Sequence, residues 1–310
     1  MEELIFFTLL IMSGSPSTVR SPTSPPPEEE SFSSSRQFQF PHDITVFGEE
    51  VLVCDTYNHR IQVFSASTGK FVRRWGSFGK GDGQFYEPRG ITTCGEEVFV
   101  CDTYNHRVQV FNAVTGQFLR KFGSNGDGDG EFHFPEGIVV LEEEVFICDV
   151  DNHRIQVFKA STGQYLREWG SRGKRFRAEE ADEQLNGQFD GPQRIAVLGQ
   201  EVFVCDSGSH RIQVFNASNG QFLRKFGSKG RGDGEFSTPK GISVLGEEVF
   251  VSDTYNQRIQ VFNAFTGKFV RKYGRYWRGN QKLSDPSGIA VLGKRVFVCD
   301  TLNNRIQVLD

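Results

Sequence analysis

Several things are missing from this 310-residue chain. It has no Cys-x-x-Cys pair, no His-Glu-x-x-His and no Gly-x-Ser-x-Gly. The first absence removes a zinc-bound RING, which needs paired Cys and His ligands at fixed spacing. The other two remove the common zinc-protease and serine-hydrolase signatures. Charge of one sign is missing as well. Lys and Arg number 35 against 39 Asp and Glu, a net −4, so the overall balance draws the chain neither to nucleic acid nor to anionic lipid. No apolar run is long enough to span a membrane; LIFFTLLIM, residues 4–12, falls far short. Gly-Lys-Gly-Asp-Gly at 79–83 has no Lys-Ser or Lys-Thr after it and is no phosphate loop. Gly-Asp-Gly-Asp-Gly-Glu at 126–131 opens like a calcium loop, but counting from Asp127 puts Ile138 where the bidentate Glu belongs. It reads instead as a flexible, acidic, glycine-rich turn.

What is present is repetition. CDTYNHRIQVF at 54–64 returns as CDTYNHRVQVF at 101–111. Aligned on their aspartates, the copies fall at Asp55, Asp102, Asp149, Asp206, Asp253 and Asp300, spaced 47, 47, 57, 47 and 47. A fixed period of this size means supersecondary units that bury a core only by stacking. One unit, residues 86–132, holds four short strand-like runs, GITT, EVFVCD, RVQVF and QFLRKFG, separated by turn residues. Each unit is therefore an antiparallel meander. Six of them around an axis predict an all-β, six-bladed β-propeller over 37–310, the sixth repeat stopping after its third strand. The 30 phenylalanines, with Phe99, Phe111, Phe118, Phe122 and Phe132 at recurrent places, are expected between neighbouring sheets.

Each repeat carries an arginine five residues after its aspartate: Arg60, Arg107, Arg154, Arg211, Arg258 and Arg305. Across a four-residue turn the two face each other on the second and third strands. Such a cross-strand pair is a structural device worth about 0.2–1 kcal/mol. His59, His106, His153 and His210 recur less regularly, with Gln257 and Asn304 in the last two copies. At mid-radius their rings would not converge on one ion, so no metal and no cofactor is assigned.

The pattern Pro-x-Gly-Ile, Val-Phe-Val-x-Asp, Asn-x-Arg-Ile-Gln-Val-Phe, Gly-x-Phe and Phe-Gly resembles the NHL repeat, in register over all six copies. The resemblance implies a propeller that binds protein or RNA, as in the substrate-receptor part of tripartite-motif ubiquitin ligases. It also implies a minority alternative, a metal-dependent lyase of the peptidylglycine amidating type. The loop face near the axis carries His42, Arg89, Glu136, Gln193, Lys240 and Ser287 at the Pro-x-Gly positions. These mixed signs with one histidine do not make a matched catalytic set, so the chain reads as a non-catalytic scaffold for a protein or peptide. Its candidate partner-binding residues are Tyr57, His59, Arg89, Tyr104, His106, His153, His210, Lys240 and Tyr255. Lys174, Arg175, Phe176 and Arg177 join them from an insertion at 171–189, ten residues longer than its counterparts. RNA on the same face is the alternative, carried by the tyrosines and arginines and interrupted by the acidic loops.

Five cysteines, Cys54, Cys101, Cys148, Cys205 and Cys299, share one strand position, with Ser252 in the sixth copy. Blade spacing keeps them out of disulfide reach, so they read as buried thiols of a reducing, cytoplasmic compartment. Residues 13–36, with the run SGSPSTVRSPTSPPPEEESFSSS, have the composition of a disordered linker. The apolar residues 1–12 have three readings: a strand closing the ring on the sixth blade, a signal or anchor, or a disordered remnant.

Overall fold

The structure, a computed structural model, describes residues 38–172, 185–274 and 282–309. The readings made for residues 1–12 and 13–36, and for Lys174, Arg175, Phe176 and Arg177, lie outside the described residues. Within them are six antiparallel sheets arranged as propeller blades. Five have four strands in sequential order, and the sixth, beginning at Pro286, has three. Blade 2 is representative, with strands Pro88–Cys94, Glu97–Asp102, Arg107–Asn112 and Phe118–Phe122. The inner strands read as near-continuous apolar runs because both faces are covered by neighbouring blades. The outer strand alternates half-buried and exposed residues, since only its inner face is covered.

The core lies between blades rather than within them. Val63 and Ile61 of blade 1 pack against Val98, Val100 and Phe111 of blade 2, and equivalent clusters fill the other seams. The ring closes where Val51, Val53 and Phe64 of blade 1 meet Phe297 and Ile306 of blade 6. The twelve largest fully buried side chains are all phenylalanine, Phe99, Phe111 and Phe132 among them, as the repeat count required. Phe118 and Phe122 are half-buried on the outer strand.

A second tie runs around the rim. In blade 2, Arg120 of the outer strand bonds Glu97 with both Nη groups and donates 2.6 Å to the Ala160 carbonyl of blade 3. The same fork joins Arg73 to Glu50, Arg167 to Glu144, Arg224 to Glu201 and Arg271 to Glu248. Blade 6 solves the seam differently. Arg295 stands at the glutamate position of the second strand and itself donates 2.9 Å to the Ala66 carbonyl of blade 1. One charge reversal thus lets a second-strand residue make the inter-blade strap itself.

The repeated aspartate does more than a cross-strand pair. Asp102 is 0% exposed and faces Arg107 in the strand register. Its carboxylate accepts the Tyr86 N–H at 2.7 Å, Asn105 Nδ2 at 2.9 Å, Arg107 Nε at 2.7 Å and Gln109 Nε2 at 3.0 Å. In every blade the first of these bonds captures the entry loop, from Gln39, Tyr86, His133, Asp190, Ser237 or Ser284. Arg107 and Gln109 then reach back to the carbonyls of Lys80, Gly81 and Gln84 in the loop arriving from blade 1. Asp55, Asp149, Asp206, Asp253 and Asp300 are equally buried, with Arg60, Arg154, Arg211, Arg258 and Arg305 as their partners. The expected cross-strand pair is therefore present, but as one part of a buried hub that fixes the loops. The reading of the glycine-rich turn at 126–131 is corrected. Arg154 holds its Gly128 and Glu131 carbonyls, and Gln156 accepts the Gly130 N–H at 3.0 Å, so it is clamped rather than flexible.

The histidines make a further seam contact. Each adopts a left-handed backbone, at φ 53–55°. His59 Nδ1 accepts the Glu87 N–H at 3.1 Å, and His106, His153 and His210 accept those of Phe134, Gly191 and Thr238. In blade 6, Asn304 Oδ1 accepts the Phe40 N–H at 2.8 Å in the same role. Burial pulls all four histidines below their ordinary pKa of 6.5. An Nδ1 that accepts cannot also be protonated, so the neutral ring is the native one. The unfolded chain takes up these protons first as pH falls below about 6.5. Stability is therefore complete above that pH and declines below it. Replacing all four by Asn, the residue already used at 304, should make urea midpoints less dependent on pH between about 5.5 and 7.5. An unchanged slope would assign the titration elsewhere.

Candidate interaction face

The entry loops and the turns between second and third strands share one face. In blade 2 the Tyr104 N–H bonds the Tyr86 carbonyl at 3.1 Å, and each blade repeats this join. At the centre of the face the glycine of Pro-x-Gly is a close-packing requirement. A Cβ on Gly90 would lie 1.6 Å from the Glu136 carbonyl oxygen, and one on Gly241 1.8 Å from that of Ser287.

Two blades break this rule, and they lie opposite each other: Asp43 in blade 1 and Arg194 in blade 4. Arg194 crosses the axis, its Nε 3.5 Å from Asp43 Oδ2. Its Nη groups reach His42 Nδ1 at 2.6 Å, the Arg89 carbonyl at 2.8 Å, the Gln193 carbonyl at 3.0 Å and Glu136 Oε2 at 3.4 Å. Burial holds His42 well below its usual pKa, with Arg194 adding to the effect, so the imidazole is a neutral acceptor. Burial raises the Asp43 carboxyl, opposed by Arg194 and by the Ile91 N–H at 3.1 Å. Arg89 completes the cluster with a 2.7 Å bond to Glu136 and a 3.0 Å bond to Glu87. Two arginines, Arg89 and Arg194, and the carboxylates of Asp43, Glu87 and Glu136 thus close the axis. Beyond them a channel of about 240 Å³ continues toward the far face, lined by Ile44, Ile91, Ile138, Ile195, Ile242 and Ile289 and the strands they belong to.

Of the Pro-x residues, Arg89 and Glu136 are thus paired with each other and His42 is bonded by Arg194. Lys240, the other basic candidate, sits 3.4 Å from Asp285 and over the Tyr255 ring. Among the described residues no group of three or more His, Cys, Asp or Glu is placed to hold a metal ion. The five strand cysteines are fully buried free thiols whose pKa burial raises, and Cys94 is partly exposed.

The rest of the face is asymmetric. Tyr57 stacks on Phe40 with centroids 4.5 Å apart. Phe78 touches His59 at 4.9 Å and Tyr86 at 5.2 Å, and Tyr86 reaches Tyr104 at 5.0 Å. Tyr104 continues to Phe134 at 5.0 Å, which contacts His106 at 4.9 Å and His133 at 5.2 Å. These rings form a shelf over blades 1 to 3. Phe78 is 63% exposed, Tyr57 42% and Tyr104 36%. Across the axis the equivalent loop positions are Asp190-Gly191, Ser237-Thr238 and Ser284-Asp285, with Gly208 in place of a tyrosine. Tyr255, 65% exposed, stands apart in blade 5. Of the candidates from sequence, Tyr57, His59, Tyr104 and His106 belong to this shelf, while His153 sits at the seam of blades 3 and 4 and His210, Lys240 and Tyr255 lie on the other half. Phe40, Phe78, Tyr86 and Phe134, and the Asp43–Arg194 pair, were not among them.

The architecture is a ring-closed propeller with one polarised loop face. A family model described as a six-bladed β-propeller matches residues 86–170 and 185–272, and an NHL-repeat model matches 38–64. The chain belongs to the six-bladed β-propeller family, as an NHL-repeat propeller. No curated protein matches it. Solved structures similar to it include a structural-genomics protein from Bacteroides thetaiotaomicron, at TM-score 0.65 and 15% identity, covering 89% of this chain and 70% of that one. Hydrazine synthase of Kuenenia stuttgartiensis aligns at 0.60 and 12%, covering 89% and 97%. A catalytically inactive virginiamycin B lyase from Staphylococcus aureus with quinupristin aligns at 0.59 and 14%, covering 89% and 83%. At these identities the likeness is one of fold. No helix among the described residues is long and apolar enough to cross a membrane.

Proposed function

We propose that the chain is a non-catalytic interaction module that seats a protein or peptide on the aromatic half of its loop face. The observation that carries this reading is the shelf itself: exposed Tyr and Phe rings gathered on one side of the loop face. Exposed aromatic side chains held rigid by mutual packing are the residues that dominate binding energy. The RNA alternative is weaker, because Arg89 and Lys240 are bound to Glu136, Glu87 and Asp285, and a phosphate would have to displace those carboxylates. Free buried thiols fit a reducing compartment, and we place the protein in the cytoplasm on that ground.

The test is capture by the full chain and by the triple variant Tyr57→Ser, Phe78→Ser, Tyr104→Ser. Proteins retained by the native chain should be retained at least tenfold less by the triple variant, at a similar melting temperature. Ser237→Ala with Ser284→Ala, on the other half, should retain them fully. Equal retention by the triple variant would reject this surface.

A further inference from the structure

We propose that the aromatic shelf is a proline-rich-peptide site, and that the chain's own segment Pro16–Pro27 is its resident occupant. This rests on the reading of the shelf as a peptide-binding surface and names the peptide.

Three observations converge on it. Exposed rings set side by side are what extended proline-rich segments dock onto, since their preformed helix loses little entropy and its prolines fit between aromatic faces. Phe78, Tyr86, Tyr104 and Phe134 offer such a series, and the stacked pair Phe40 and Tyr57 stands on the same face. The sequence supplies the matching ligand in cis: Pro22-Thr-Ser-Pro25 has the Pro-x-x-Pro spacing and runs on into Pro26 and Pro27.

The point of attachment is the second observation. The chain enters the propeller at the shelf, with Phe38 buried against Phe64 at 5.3 Å and Phe40 stacked on Tyr57. From Pro27 to Phe38 is a tether of eleven residues, about 34 Å if extended at about 3.1 Å per residue. Neighbouring sheets lie only about 10 Å apart, so the prolines reach every ring of the shelf. Charge is the third. Glu28, Glu29 and Glu30 follow the prolines, and Lys80 is exposed in the loop that carries Phe78.

A tethered ligand acts at an effective concentration in the millimolar range. It therefore outcompetes a free copy tenfold or more when the intrinsic Kd is about 100 µM or tighter. Proteins that use the shelf must displace it, which makes the segment a built-in competitor.

The experiment uses a labelled synthetic peptide of residues 15–30 and measures anisotropy with the full chain. A variant with Pro16, Pro22, Pro25, Pro26 and Pro27 all changed to Ala should bind the peptide at least tenfold more tightly than the native chain. Adding Tyr57→Ser, Phe78→Ser and Tyr104→Ser should abolish that binding. Equal affinity for the native and proline-less chains overturns the proposal. So does absence of binding to both, or binding indifferent to the three ring substitutions. In any of these cases, protein capture that still depends on the shelf leaves the interaction module standing and removes only its proline-rich occupant.

Discussion

Asp102→Ala is expected to destabilise the propeller by about 3–5 kcal/mol, the range for removing one partner of a buried ion pair. The change leaves Arg107, Gln109, Asn105 and the Tyr86 N–H without the carboxylate to which all four donate. Arg107 would keep its loop carbonyls but lose its counter-charge, at 7% exposure. Asp102→Asn keeps one acceptor oxygen and should cost less. Urea unfolding of the two variants, read as midpoint at constant slope, checks the order. A loss below about 1 kcal/mol for Asp102→Ala would return the motif to the standing of an exposed cross-strand pair.

Arg194→Gly should be comparably severe, at about 3–5 kcal/mol, although it restores the residue that four other blades carry at this position. It strips Asp43 of its cation and removes four hydrogen-bonded partners from the axis. The decisive comparison is the double variant Asp43→Gly, Arg194→Gly. Glu136 then keeps Arg89, both axial departures are gone, and at least half of the lost stability should return. That sign of coupling is what two residues acting as one unit produce. Additive losses would show that Arg194 supports the fold through His42 and the Arg89 carbonyl rather than through Asp43.

The six-blade architecture was legible because its signal is periodic: aspartates 47 residues apart leave few alternatives to stacked meanders. The Asp–Arg pairing was legible because its partners lie five residues apart across one turn. Its depth was not, because the remaining donors are a backbone N–H sixteen residues upstream and a Gln on the next strand. The histidine struts were hidden for the same reason, since Nδ1 meets a backbone group 28 residues away and leaves no side-chain signature there. Asn304 was the available clue, as Asn, like His, tolerates a left-handed backbone and can accept a hydrogen bond at that place. The axial pair was also visible in principle, as an Asp and an Arg replacing glycine three blades apart. The aromatic half was only half legible. Tyr57 and Tyr104 lie within the repeat, whereas Phe40, Phe78, Tyr86 and Phe134 occupy loop positions that vary from blade to blade.

Repeat residues thus build the ring, and the residues that break the repeat make one side of its loop face unlike the other. Hydroxyl-radical footprinting of the full chain, with and without a captured protein partner, tests that division most directly. Protection should concentrate on Tyr57, Phe78, Tyr104 and Phe134, leaving Tyr255 and the outer-strand Leu119, Leu166 and Leu223 as reactive as in the free chain. Protection centred instead on those rim leucines or on Tyr255, with the shelf unchanged, would contradict the account.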